Sequence, residues 1–200
     1  MALILTTLLP MWSMPSSGAT LFWDGDGNAT GNDATTGTGL GALGTWSTSL
    51  PTNWWDGISG LNQQWTNGTD TALFTGTAGV VTLGEPITAG GLIFHSNGYL
   101  ITGDTLTLSP ATGSASPIIA VNNNGFGTNR AEISTSLVGA KGFTKAGNGT
   151  LVASADNSGL SGDVAIKGGN LVISNVNQLG TGTTAISVTG IAQTGNPGYS

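Results

Sequence analysis

Gly149-Thr150-Leu151-Val152-Ala153-Ser154 returns twenty residues later as Gly169-Asn170-Leu171-Val172-Ile173-Ser174. An echo at a fixed period of this length marks a repeat architecture, in which each unit buries its apolar side only by stacking on its neighbours. The echoed cores are short and rich in Leu, Val and Ile, which favours strands over helices. The stretch therefore predicts an all-β chain wound as a solenoid of stacked coils, each climbing about 4.8 Å.

Outward from this pair, short apolar runs separated by turn residues extend back to about residue 80. They include Val80-Val81, Leu92-Ile93-Phe94, Tyr99-Leu100-Ile101, Ile118-Ile119-Ala120-Val121 and Val164-Ala165-Ile166. Alternation is clearest in Thr105-Leu106-Thr107-Leu108, where the leucines share one side and the threonines the other. Gly and Asn occupy the corners, as expected where φ must be positive. Asn97-Gly98 and Asn148-Gly149 are also favoured hairpin turns, so an antiparallel sandwich is the rival. The echo favours the solenoid, because the same corner then recurs on each coil. About 120 residues at about 20 per coil predict roughly six coils.

Residues 20–75 differ in character. They hold Trp23, Trp46, Trp54, Trp55 and Trp65 among turn pairs such as Asp24-Gly25, Asp56-Gly57 and Asn67-Gly68. They are read as an N-terminal Trp-rich β cap, ahead of β-helix repeats over 76–200 whose clearest copy is 142–174. Residues 1–19 read as a signal peptide: Ala2 to Leu9 is apolar, and Ser17-Gly18-Ala19 offers small residues at a cleavage point, although a basic start is missing. The run is too short to span a bilayer, and no later segment reaches that length. The repeat pattern continues to the last residues without a closing cap, so the chain is expected to be the front end of a longer protein.

Composition narrows the function. Of 200 residues 34 are Gly, 7% are charged and 38% are hydrophobic, with a net charge of −6. A mean hydropathy of +0.15 places the chain among folded rather than disordered sequences. The basic residues are Arg130, Lys141, Lys145 and Lys167 alone, which argues against a nucleic-acid partner. The absence of cysteine rules out disulfides and thiolate chemistry.

The segment Gly142-Phe143-Thr144-Lys145-Ala146-Gly147-Asn148-Gly149-Thr150-Leu151, with Asn157, Ser161-Gly162, Gly168-Gly169 and Leu171, resembles the autotransporter-associated β-strand repeat. The match covers about 33 residues, with mild departures at Gly159 and Asp163. Trp23-Asp24-Gly25, Trp46-Ser47, Asn53-Trp54 and Asp70-Thr71-Ala72-Leu73-Phe74 resemble, more loosely, the leading segment of bacterial surface proteins carrying such repeats. The resemblance implies a right-handed parallel β-helix in an exported, cell-surface passenger. Gly142, Lys145, Gly147, Gly149, Leu151, Gly169 and Leu171 would be its motif positions. It implies no catalytic residues and no cofactor. The outer-membrane translocation machinery would be the partner, and stacking of coils outside the cell would aid transport.

Other motifs hold residue types capable of chemistry. Asp24-Gly25-Asp26-Gly27-Asn28, with Asp33 nearby, begins like a calcium loop, but Ala29 and Thr35 stand where an EF-hand needs Gly and Glu. An acidic turn is the expectation. His95 is the sole histidine and is expected at a corner. Arg130 with Glu132 is the one candidate pairing of opposite charges near a strand, and is expected to be a solvated turn. Trp46, Trp54 and Trp55 could stack on extracellular glycans, but in a cap poor in Leu and Ile such indoles are expected to form the core. The expectation is a non-enzymatic, secreted or bacterial cell-surface stalk or adhesin scaffold. The alternatives are a carbohydrate-binding module and a fragment of a polysaccharide-degrading β-helix enzyme.

Overall fold

The computed structural model describes residues 18–114, 116–122, 129–182 and 187–188. Residues 1–17 of the expected signal segment and most of the C-terminal stretch lie outside the described residues. Among the described residues the chain is all-β apart from one turn of 3-10 helix at Val176–Leu179.

The strands fall into three sheets that the chain visits in rotation. The first sheet holds β1 (Thr20–Trp23), β4 (Thr71–Phe74), β7 (Gly91–Phe94), β10 (Ile118–Val121), β13 (Phe143–Ala146), β15 (Val164–Ile166) and β17 (Ser187–Val188), with β3 (Trp54–Trp55) beside β1. The second holds β2 (Gly44–Trp46), β5 (Val80–Leu83), β8 (Tyr99–Gly103), β11 (Arg130–Ile133), β14 (Thr150–Ala153) and β16 (Asn170–Val172). The third is β6 (Ile87–Ala89), β9 (Leu106–Leu108) and β12 (Leu137–Val138). Beyond β12 the third position is carried on by a single parallel bridge between Gly139 and Leu160.

From β4 onward every pairing between named strands is parallel. Among named strands the antiparallel pairing is β1 with β3. The sandwich rival fails for a specific reason. Asn97-Gly98 lies between β7 and β8, and Asn148-Gly149 between β13 and β14. Each pair turns the chain from the first sheet to the second, and the flanking strands do not pair with each other.

The echo is a true register: Leu151 faces Leu171 and Val152 faces Val172. The period is not uniform, however. Thr71 faces Gly91, twenty residues on, but Gly91 faces Ile118, and Tyr99 faces Ala131. The extra residues lie in the connections after β9 and after β10, so the strands keep their register while loops absorb the difference. β6 forms where the sequence carries no strand signal, because Ile87-Thr88-Ala89 directly follows Pro86 and is no apolar run. Ile173 falls outside β16.

Alternation builds the interior. Val81 and Leu83 of β5 are buried while Val80 and Thr82 face out. Leu106 and Leu108 are buried on either side of a half-buried Thr107. Like residues stack along the sheets: Phe74 and Phe94 are in register, with rings 4.9 Å apart and 13° from parallel. Two polar interior side chains are bonded across levels. The Tyr99 hydroxyl donates to the Thr75 carbonyl at 2.6 Å. Asn157, 1% exposed, accepts from the Leu137 N–H at 2.8 Å and donates to the Gln178 carbonyl at 2.7 Å. The parallel three-sheet arrangement is consistent with a β-helix.

Candidate functional site

Lys145, Gly147 and Gly149 lie at the turn between β13 and β14, Leu151 in β14, Gly169 and Leu171 on the next level, and Gly142 at the other end of β13. Lys145 has no exposed surface. Its Nζ donates to the carbonyls of Ala146 at 2.7 Å, Gly147 at 2.9 Å and Gly168 at 3.0 Å. The first two belong to its own turn, the third to the turn stacked on it. Carbonyl oxygens alone satisfy the ammonium, and burial pulls its pKa down to about 8. Gly142 sits at φ 59° with its α-carbon facing the Asp163 carbonyl, so any side chain would collide with the neighbouring turn. Gly169 at φ 62° is pressed in the same way against the carbonyl of Gly149. Leu151 is fully buried and Leu171 half-buried behind it. These positions hold one turn on another; none presents a reactive group.

The tryptophans form a second cluster. Trp46 and Trp54 have no exposed surface, Trp65 has 1% and Trp55 has 5%. Ring centroids lie 4.6 Å apart for Trp54 and Trp65, 4.7 Å for Trp46 and Trp54, and 4.9 Å for Trp46 and Trp65. These spacings are those of favourable tilted and edge-to-face aromatic pairs. Phe74 of β4 packs against Trp23, Trp46 and Trp54, so the cluster continues directly into the stacked aromatic interior. The rings of Trp23, Trp46, Trp54 and Trp65 pack within this cluster, whereas Trp55, on the other face of β3, packs against Phe22 with centroids 5.7 Å apart.

The acidic turn after β1 is less exposed than its sequence suggests. Asp24 is fully buried. Its Oδ2 accepts from Asn32 Nδ2 at 2.7 Å and from Asn62 Nδ2 at 2.8 Å. Burial pushes the Asp24 carboxyl up, the two amides pull it back, and the nearby Asp26 carboxylate raises it again. Asp33 turns away into its own loop, where its Oδ1 accepts the N–H groups of Thr35 and Thr36. Among the described residues no three or more His, Asp or Glu side chains gather as a metal-ligand set. Neither Asn32 nor Asn62, which lie 8 and 38 residues from Asp24, carried a sequence signal.

The remaining candidates are ordinary. His95 is half-buried just beyond β7, and burial lowers its pKa. Arg130 and Glu132 form an ion pair at 2.9 Å on the outer side of β11. An exposed pair of this kind contributes about 0–1 kcal/mol. Among the described residues no helix is long and apolar enough to cross a membrane.

The buried turns stack level on level in an all-β chain of parallel sheets, and comparison with known proteins gives a relative. The chain is related to an autotransporter adhesin. The relative is the adhesin BmaC autotransporter of Brucella suis biovar 1 (strain 1330), 39% identical over 172 residues. The match takes in 84% of this chain, which spans 4% of the relative's length. No family model matches the chain. No solved structure matches it.

Proposed function

We propose that this chain is part of an adhesin-like autotransporter passenger, carried to the bacterial surface as a non-enzymatic parallel β-helix. The observation that carries the proposal is the parallel register repeated from β4 to β17, in a chain related to an autotransporter adhesin. Crossover connections between parallel strands of one sheet are right-handed in about 98% of cases, so the solenoid is taken as right-handed. Its role is that of a stalk or scaffold that holds adhesive regions of the whole protein away from the cell.

Such a fold also suits vectorial export. Each level pairs only with its immediate neighbours in chain order, so coils can form one on the last as the chain emerges. With only 7% charged residues, few charges resist stacking. The autotransporter-associated repeat at 142–174 would then act as a folding step outside the membrane. The test is deletion of residues 142–173 from the full-length protein, with surface display read by antibody labelling of intact cells. Reduced display is expected, and undiminished display overturns the transport role.

A further inference from the structure

Four side-chain oxygens around Asp24 are buried without a hydrogen-bond partner: Asp24 Oδ1, Asn32 Oδ1, Asn53 Oδ1 and Asn62 Oδ1. An orphaned buried acceptor costs about 1–3 kcal/mol, so several in one neighbourhood call for a common explanation. Those of Asp24, Asn32 and Asn62 are neighbours by covalent geometry. Asn32 and Asn62 each place an amide nitrogen 2.7–2.8 Å from Asp24 Oδ2, so their oxygens lie within about 5 Å of the same carboxylate. Asn53 adjoins through its backbone carbonyl, which accepts the Asp24 N–H at 2.9 Å, but its Oδ1 lies beside Gly27 and is not part of the set.

We propose that Asp24, Asp26 and the amide oxygens of Asn32 and Asn62 form a binding site for a hard divalent cation of calcium size. The donors are all oxygens, the set that calcium takes and that softer metals do not prefer. No basic side chain offsets the carboxylates: among the described residues the ion pair is Arg130 with Glu132, on another part of the fold. Rotation of either amide about its Cβ–Cγ bond brings an oxygen to where its nitrogen now stands. Three oxygens then surround a cation, with the second carboxylate at Asp26. Asp26 is exposed and Asn32 and Asn62 are half-buried, which leaves a way in from solvent. Two carboxylates make a weak site, in the range of about 10⁻⁴–10⁻³ M typical of extracellular modules. Binding ties the loop after β1 to the loop after β3. The proposal is independent of the passenger role.

Trp23 is adjacent to Asp24, so terbium in the site is sensitised by indole excitation. The 200-residue chain, stripped with chelator, is titrated with Tb³⁺ and the luminescence displaced with Ca²⁺. Saturable one-to-one luminescence is expected, at least tenfold weaker in affinity for Asp24→Asn and unchanged for Asp33→Asn. Asp26→Asn leaves the buried core alone and keeps the test open should Asp24→Asn fail to fold; at least threefold weaker binding is expected of it. Absence of saturable luminescence overturns the proposal. So does equal affinity in Asp26→Asn, or in an Asp24→Asn chain with native circular dichroism.

Discussion

Lys145 Nζ donates to the Gly168 carbonyl at 3.0 Å, so the cation of one turn is held by the backbone of the turn stacked on it. The same ammonium holds Ala146 and Gly147 of its own turn. A conspicuous motif lysine is therefore an interior clamp rather than a surface charge.

Its titration has a definite sign. The folded pKa of about 8 lies below the ordinary lysine value of 10.5. Between these values the unfolded chain binds more protons than the folded one, so stability rises with pH across that window. Over pH 8–10 the slope approaches about 1.4 kcal/mol per pH unit at most. Above pH 10 the buried Tyr99 hydroxyl, whose pKa is raised, acts in the opposite direction. Urea unfolding at several pH values should show the rise in the parent and not in Lys145→Met. At pH 7 the Met variant should lose about 2–4 kcal/mol through its unpaired carbonyls.

Asn157 joins three levels, from the Leu137 N–H to the Gln178 carbonyl. Asn157→Leu leaves both groups buried and unpaired, and should cost about 2–4 kcal/mol. A lower denaturation midpoint with an unchanged urea slope is the expected signature.

Glycines should separate into two kinds. Gly142→Ala places a methyl group against the Asp163 carbonyl at a positive φ, and should cost more than about 3 kcal/mol or prevent folding. Gly60 has open space around it and no positive φ. Gly60→Ala should be neutral or stabilise by about 0.4–1 kcal/mol. Thermal unfolding of the two variants checks the contrast.

The tryptophan cluster should be dark to solvent. In Trp12→Phe, the emission of the five remaining indoles should be blue-shifted and poorly quenched by acrylamide, because four are fully or nearly fully buried and Trp55 is 5% exposed. Soluble glycans should leave that emission unchanged. A saturable shift on glycan addition would revive the stacking role for Trp46, Trp54 and Trp55.

The strands were largely legible because their signal is local. Thr105-Leu106-Thr107-Leu108 states its own two faces, and the hexapeptide echo states its own register. The departures from a twenty-residue period were not legible, because the register depends on where strands pair rather than on how many residues connect them. The partners of Lys145 were hidden for another reason: Ala146, Gly147 and Gly168 contribute only carbonyls, and a carbonyl leaves no mark on residue identity.

By itself the sequence determined that this protein is built of short strands with recurring Gly and Asn corners, since alternation and turn chemistry act between neighbours in the chain. Only the tertiary structure decided that Asn97-Gly98 turns the chain between sheets, that Lys145 is enclosed by carbonyls, and that Asp24 is buried beside Asn62. Each depends on groups brought together from distant positions, where proximity comes from the stacking of levels and not from the local order of residues.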